Sequence, residues 1–480
     1  MISHRKPHQK IGFWLVLLMT SLIVSACQPG SEPPNLTGTG APISELTPDA
    51  VGTPPTATAT RLPPTTTPGY LVPFDRLAGL TLNFYHPWSG PTADQVERLV
   101  ETFNQTNEWG IQVTAQRAGS SMALADIVEG SPFGENFPQV VVAPSEHLLA
   151  WLKEEHLRPL NDFIADPEFG LSEQQRVDFP LVFWQQDQSN GSQAGIPAQR
   201  DMQVIYYNQS WAQELGFDSP PATPEAFKEQ ACAAAEANIH DRFAANDGTG
   251  GWIVNSDGLV VYAWLKSFGL ENALEGDPLA FHFNQPATET AFSFLRSMYD
   301  EGCAWFARST SSNEYFAGRQ ALMYTGSLSE LALQTRTQGR LESDDVWTVL
   351  PFPDGNQPLA IASGLSYGVL RSDPTRELAS WLFVRWMSQP ENSAQILLAG
   401  GGLPVSTAAG DLAGTKLAEI PKWAEAAGWM PAVQSPPVDA GWRIARFVLQ
   451  DALWQSLQSN TTVEDIPGIL EQLDATIAEV

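Results

Sequence analysis

Carboxylates are the most plentiful groups in this chain that could do chemistry: 54 Asp and Glu residues stand against seven histidines and three cysteines. Two carboxylates set across a glycosidic bond can hydrolyse it, and composition leaves that class open. Patterns that commit a chain to metal or nucleotide chemistry are missing: there is no His-Glu-x-x-His pair, no Walker loop and no Gly-x-Gly-x-x-Gly fingerprint. His147 and His156 in EHLLAWLKEEH stand nine positions apart, not the four that set two imidazoles on one helix face. DRFAANDGTGGW hints at a calcium loop but lacks the acidic alternation and the closing Glu.

The three cysteines divide by position. Cys27 ends the run Val24-Ser25-Ala26-Cys27, behind a basic start with Arg5, Lys6 and Lys10 and an apolar stretch from Ile11 to Ala26. That stretch has the length of a signal segment and is short for a spanning helix. The ending resembles a bacterial lipobox, which implies a signal peptide over 1–26 and diacylglycerol on Cys27. Residues 27–70 are rich in Pro, Thr, Gly and Ser and poor in large apolar side chains, so they read as an unfolded tether. Cys232 and Cys303 remain, either as a disulfide in an oxidising compartment or as two buried thiols. No Cys-x-x-Cys or histidine cluster accompanies them to make a zinc site.

From Gly79 onward the pattern alternates. LTLNFYHPW reads as a strand, and ADQVERLVETFNQT as a helix with Val96, Leu99, Val100 and Phe103 on one face. IQVTAQ and PQVVVAPS are further strands, and EHLLAWLKEEH is a helix. Met202 to Tyr207 reads as a strand, and Thr223-Pro224-Glu225 as a helix start with Thr as cap. Such alternation predicts an α/β fold with parallel strands. Ligands in these folds sit beyond the carboxyl ends of strands, which points to Trp88-Ser89 and Pro144-Ser145-Glu146. The formal net charge of -28 disfavours nucleic acid, whose phosphates need clustered Lys and Arg. At 480 residues and 43% hydrophobic the chain can build two cores.

Several segments in order resemble the family 1 extracellular solute-binding proteins: LNFYHPWSG, PQVVVAPSEHLLAWLKEEHLRPL, IPAQRDMQVIYYNQSWAQELGFDSPPATPEAF, FAGRQALMYTGS, VWTVLPFPDG and SGLSYGVLRS. The resemblance covers roughly 79–480. It implies a two-lobed periplasmic-binding-protein type II fold, with a ligand cleft between lobes joined by crossing strands. Lobe one would be 79–202 plus 367–412, and lobe two 203–366 plus 413–480. Crossings would fall near Arg200 to Val204, Gly364 to Tyr367 and Gly410 to Leu412. It also implies a monomeric, lipid-anchored protein that captures a mono- or oligosaccharide for the permease subunits of an ABC importer, with no cofactor and no catalysis. Glycerol phosphates, polyamines or peptides are other solutes the fold could take. A sensory protein that presents its ligand to a membrane receptor is the alternative within this fold, and a carbohydrate-active enzyme the alternative outside it.

Carried over, the resemblance places the cleft at Trp88 and Ser89, at Pro144, Ser145 and Glu146, and at Gln199, Arg200 and Asp201. From lobe two it adds Asn255, Ser256 and Asp257, with Thr325 and Gly326. Ser363, Gly364 and Leu365 precede the second crossing, and Trp442 in DAGWRI matches an aromatic platform. Carboxylates, amides and Arg would satisfy sugar hydroxyls while Trp covers a ring face. No aromatic follows Gly326, where the maltose-binding member has one, which argues against a maltose-like ligand.

Overall fold

The computed structural model describes residues 74–130, 137–308, 311–355 and 357–479. The expected signal peptide, Cys27 and tether lie outside them. Among the described residues no helix is long and apolar enough to cross a membrane.

Ten strands form one continuous sheet. In chain order they are β1 (Thr81–His86), β2 (Gln112–Arg117), β3 (Val140–Pro144), β4 (Ile196–Asn208), β5 (Gly250–Ile253), β6 (Ala304–Trp305), β7 (Ala321–Ser327), β8 (Trp347–Leu350), β9 (Ala360–Val369) and β10 (Val433–Gln434). Their order is β6-β5-β7-β4-β9-β3-β1-β2, with β8 also on β4 and β10 also on β9. β1 pairs in parallel with β2 and β3, and β5 in parallel with β6 and β7. These are two parallel half-sheets of the kind that helices cover on both faces.

β4 joins them. Its residues Pro197–Met202 pair with β9, and Gln203–Tyr207 pair with β7, so the passage falls between Met202 and Gln203. This lies inside the expected crossing at Arg200 to Val204. β9 passes the other way: Ala360 and Ile361 pair with β10, and Leu365–Val369 with β3. The third expected crossing is corrected. Gly410 to Leu412 lie within helix Thr407–Leu417, capped by Ser406, whose side chain accepts from Ala409 N at 3.2 Å. Ala409, Ala413 and Leu417 pack that helix on Ala394 and Leu397, so the chain stays with the preceding helix there.

Each half has its own core. Phe84, Phe103, Trp381 and Phe383 centre one, and Phe227, Trp252, Trp264 and Trp442 the other. The expected Thr223 cap forms. Thr223 accepts from Ala226 N at the start of helix Pro224–His240, and Pro390 begins a new helix after Pro374–Met387. Cys232 and Cys303 are joined in a disulfide that ties that first helix to the start of β6.

Candidate functional site

The candidate cleft lies beyond the carboxyl end of β3, where Ser145 and Glu146 face Ser435 to Asp439 and Trp442. Trp88 follows β1, but its indole is 6% exposed and donates to Gln199 Oε1 at 2.6 Å. Its ring stands edge-on to Tyr367, with centroids 6.3 Å apart. Trp88 is thus a locked wall, not an open platform. Ser89 is exposed at the start of helix Gly90–Thr106. Pro144, Ser145 and Glu146 form the junction of β3 and helix Ser145–Lys153.

Arg200 is a correction. It is fully buried, and its guanidinium donates to Asp187 Oδ2 at 3.0 Å, Ser366 Oγ at 3.0 Å and the carbonyl of Leu365 at 2.7 Å. Donors already committed inside the protein cannot serve a ligand. Ser145 and Ser366 close the network by donating to Asp187, each at 2.7 Å. The sequence shows no Gly-x-Ser-x-Gly elbow on a strand-to-helix turn, but Gly364-Leu365-Ser366-Tyr367-Gly368 does carry the pattern. It lies within β9 instead of on a strand-to-helix turn, and Ser366 is fully buried with its hydroxyl on a carboxylate. That geometry is a structural hydrogen bond, not a nucleophile elbow.

Asp201 Oδ1 accepts from Met202 N at 2.9 Å and Ser329 N at 3.2 Å, linking β4 to the turn after β7. Burial pushes its pKa up to about 6 against those hydrogen bonds. In the second half, Asn255 donates to the Thr325 carbonyl at 3.1 Å and accepts from Asp257 N at 2.9 Å. Asp257 caps helix Gly258–Ser267 through Leu259 N. Ser256 is half-buried beside them. Thr325 accepts the Trp252 indole at 3.2 Å, and Gly326 is buried inside β7, not in a loop. Both are therefore parts of the sheet and not open cleft groups.

Ser363, Gly364 and Leu365 are half-exposed on β9. A side chain at Gly364 would collide with the Gln199 carbonyl, so glycine permits the close approach of β4 and β9. Ser363 and Gly364 share a small space with Ser145, Glu146 and Gln186, and Ser435 to Asp439 and Trp442 form its other wall. The walls almost meet, leaving a cavity of about 10 Å³ between them. Trp442 is 1% exposed and packs on Tyr262 and Phe281, with centroids at 5.6 and 6.3 Å. It borders the space from within the second core and does not stand open as the expected platform.

Sequence reasoning missed the loop Ser435-Pro436-Pro437-Val438-Asp439 and the arginines behind it. Its signals were present: paired prolines immediately before a helix, then Arg443 and Arg446 three apart on one helical face. Arg446 lies 3.2 Å from both Glu146 and Asp257, and Arg443 lies 2.8 Å from Glu129. Among the described residues the one cluster with metal-ligand spacing is Cys232, Glu301 and Cys303, whose sulfurs are committed to the disulfide.

Comparison with known proteins agrees with this architecture. Residues 98–451 match the family model described as bacterial extracellular solute-binding protein. The sn-glycerol-3-phosphate-binding periplasmic protein UgpB of Salmonella typhimurium is 23% identical over 350 residues, covering 70% of this chain and 76% of that protein. The sugar-binding protein MalE of Xanthomonas citri superposes with a TM-score of 0.69 at 18% identity, over 83% of this chain and 98% of that one. UgpB of Mycobacterium tuberculosis, solved with glycerophosphocholine, gives 0.68 at 18% identity with the same coverages. With a family match across most of its length and the two-lobed fold in place, this chain belongs to the bacterial extracellular solute-binding proteins.

Proposed function

We propose that the protein captures a small hydroxyl-rich solute, a mono- or oligosaccharide, and delivers it to the permease subunits of an ABC importer without converting it. The observation that carries this reading is the composition of the two facing walls. One offers Glu146 and Ser363 as hydrogen-bonding groups, while the other offers Pro436, Pro437, Val438 and Trp442 as apolar surface. Sugars combine a hydroxyl edge with apolar faces, and such walls suit both. Loading requires the walls to part, by bending where β4 and β9 pass between the half-sheets. Lobe one is then 79–202 plus 367–412 and lobe two 203–366 plus 413–480, except that the return to lobe two comes after helix Thr407–Leu417.

A glycerol phosphate ester is the second reading. It is favoured by the two UgpB relatives, whose names and bound molecule carry that chemistry. We also assign lipid to Cys27 and a tethering role to 28–70, which would hold the protein outside the cytoplasm on two acyl chains. Monomeric capture and the absence of turnover belong to the same reading.

A thermal-shift screen of the full chain against neutral saccharides, sn-glycerol 3-phosphate and glycerophosphocholine tests it. A ligand selective for the native state raises Tm by mass action. A rise with one saccharide class supports the first reading, and a rise confined to the phosphate esters replaces it with the second. Mass spectrometry of the membrane fraction tests the diacylglycerol on Cys27.

A further inference from the structure

Two arginines near the start of helix Trp442–Ser456 reach across the cleft. That helix is anchored in the second core by Trp442, Ala445 and Leu449. Gly258 fixes it further, because a side chain there would strike the Arg446 carbonyl. From this base Arg446 sends Nη1 to Glu146 Oε1 and Nη2 to Asp257 Oδ2, both at 3.2 Å. Glu146 belongs to the helix after β3, and Asp257 to the opposite half. Arg443 is held separately, with Nη1 at 2.8 Å from Glu129 Oε1, which also accepts the Trp151 indole at 2.9 Å.

We propose that Arg446 determines which solutes the cleft accepts: its guanidinium clamps Glu146 to Asp257 across the two halves, and a solute gains the site by supplying hydrogen-bond donors in its place. The Arg446 side chain is 22% and that of Glu146 10% exposed, so solvent screens this bridge less than a surface pair. Removing the guanidinium leaves two carboxylates, with Asp439 on the same wall. Hydroxyl or ammonium donors satisfy that arrangement, whereas a phosphate would meet like charge. An internal group that must be displaced lowers apparent affinity by the fraction of molecules it holds. The solute half of the inference rests on the capture reading above; the clamp does not.

Spin labels at the exposed positions Glu101 and Glu236, one on each half, report the distance between halves in the full chain without solute. At low ionic strength the wild type should show the shorter distances. Arg446→Gln should lengthen them, as should high salt in the wild type, and the double variant Glu146→Gln with Arg446→Gln should open no further than either single variant. Unchanged distances in Arg446→Gln would overturn the clamp. Should Arg446→Gln fold poorly, Glu146→Gln breaks the same bridge from the other half and must give the same lengthening. For binding, a neutral saccharide that raises Tm in the wild type should bind Arg446→Gln as tightly or up to about tenfold tighter. Binding of sn-glycerol 3-phosphate that weakens about tenfold in Arg446→Gln would overturn the specificity role and leave solute capture standing. If no saccharide binds while the distances still shift, the capture of sugar fails and the clamp holds.

Discussion

Asp187 Oδ2 lies 3.0 Å from Arg200 Nη2, and neither side chain has any exposed surface. Asp187 also accepts from Ser145 and Ser366, so three side chains from separate segments meet on its one carboxylate. Breaking a buried pair strands the remaining charge, at a cost of about 3–5 kcal/mol. Asp187→Ala should therefore lower unfolding free energy by about that amount in urea titrations. A change under about 1 kcal/mol would show that solvent reaches Arg200 and that the network is weaker than its geometry.

Trp442 contributes first to stability. Its ring fills the core between Tyr262 and Phe281, and truncating a buried Trp costs about 3–5 kcal/mol. Trp442→Ala should lower Tm without any ligand present. Loss of binding at unchanged Tm would restore the platform role that the sequence suggested.

Two buried ionisable groups pull the pH profile in opposite directions. His86 is fully buried, and burial lowers its pKa to about 4. Its contribution is present above the unfolded value near 6.5 and is lost as pH falls towards 4. Asp201, pushed up to about 6, contributes stability below its unfolded value near 4 that is lost as pH rises through 6. One pKa unit corresponds to about 1.4 kcal/mol. His86→Phe should leave a protein less stable at pH 7 than at pH 4 with respect to this pair, and Asp201→Asn the reverse. Denaturant midpoints across pH 4 to 7 measure both slopes, and parallel profiles in the two variants would refute the assignment.

Reduction should destabilise the second half. The Cys232–Cys303 disulfide closes a sequence separation of 71 residues, and such bridges contribute about 2–5 kcal/mol. Calorimetry with and without reductant, beside a Cys232→Ser with Cys303→Ser variant, should show the same drop in Tm for both. Coincident melting in all three would mean that the bridge does not form in solution.

Most elements were legible because their periodicity and caps were strong. Thr223-Pro224 and Pro390 mark helix starts in the sequence and in the structure alike. Glu146, Ser145, Ser363 and Gly364, which the family resemblance grouped, line one space. Arg200 was misread because nothing local in GIPAQRDMQ reveals that Asp187 and Ser366, from distant segments, will consume its donors. Trp442 was misread for the same reason: a loop-helix junction fixes its position but not which way its ring packs. Arg446 went unnoticed because its partners, 300 and 189 residues away, are set only by the fold.

β4 serves both halves at once. Ile196 and Ala198 enter the first core, and Ile205 and Tyr207 the second, on either side of the passage between Met202 and Gln203. Side chains alternate faces along a strand, so adding or deleting one residue at that passage would turn every later side chain of β4 to the wrong face. The strand at which the proposed opening would bend is thus the segment least open to changes in length, and any reporter inserted to test for that motion belongs in an exposed loop on either side of it.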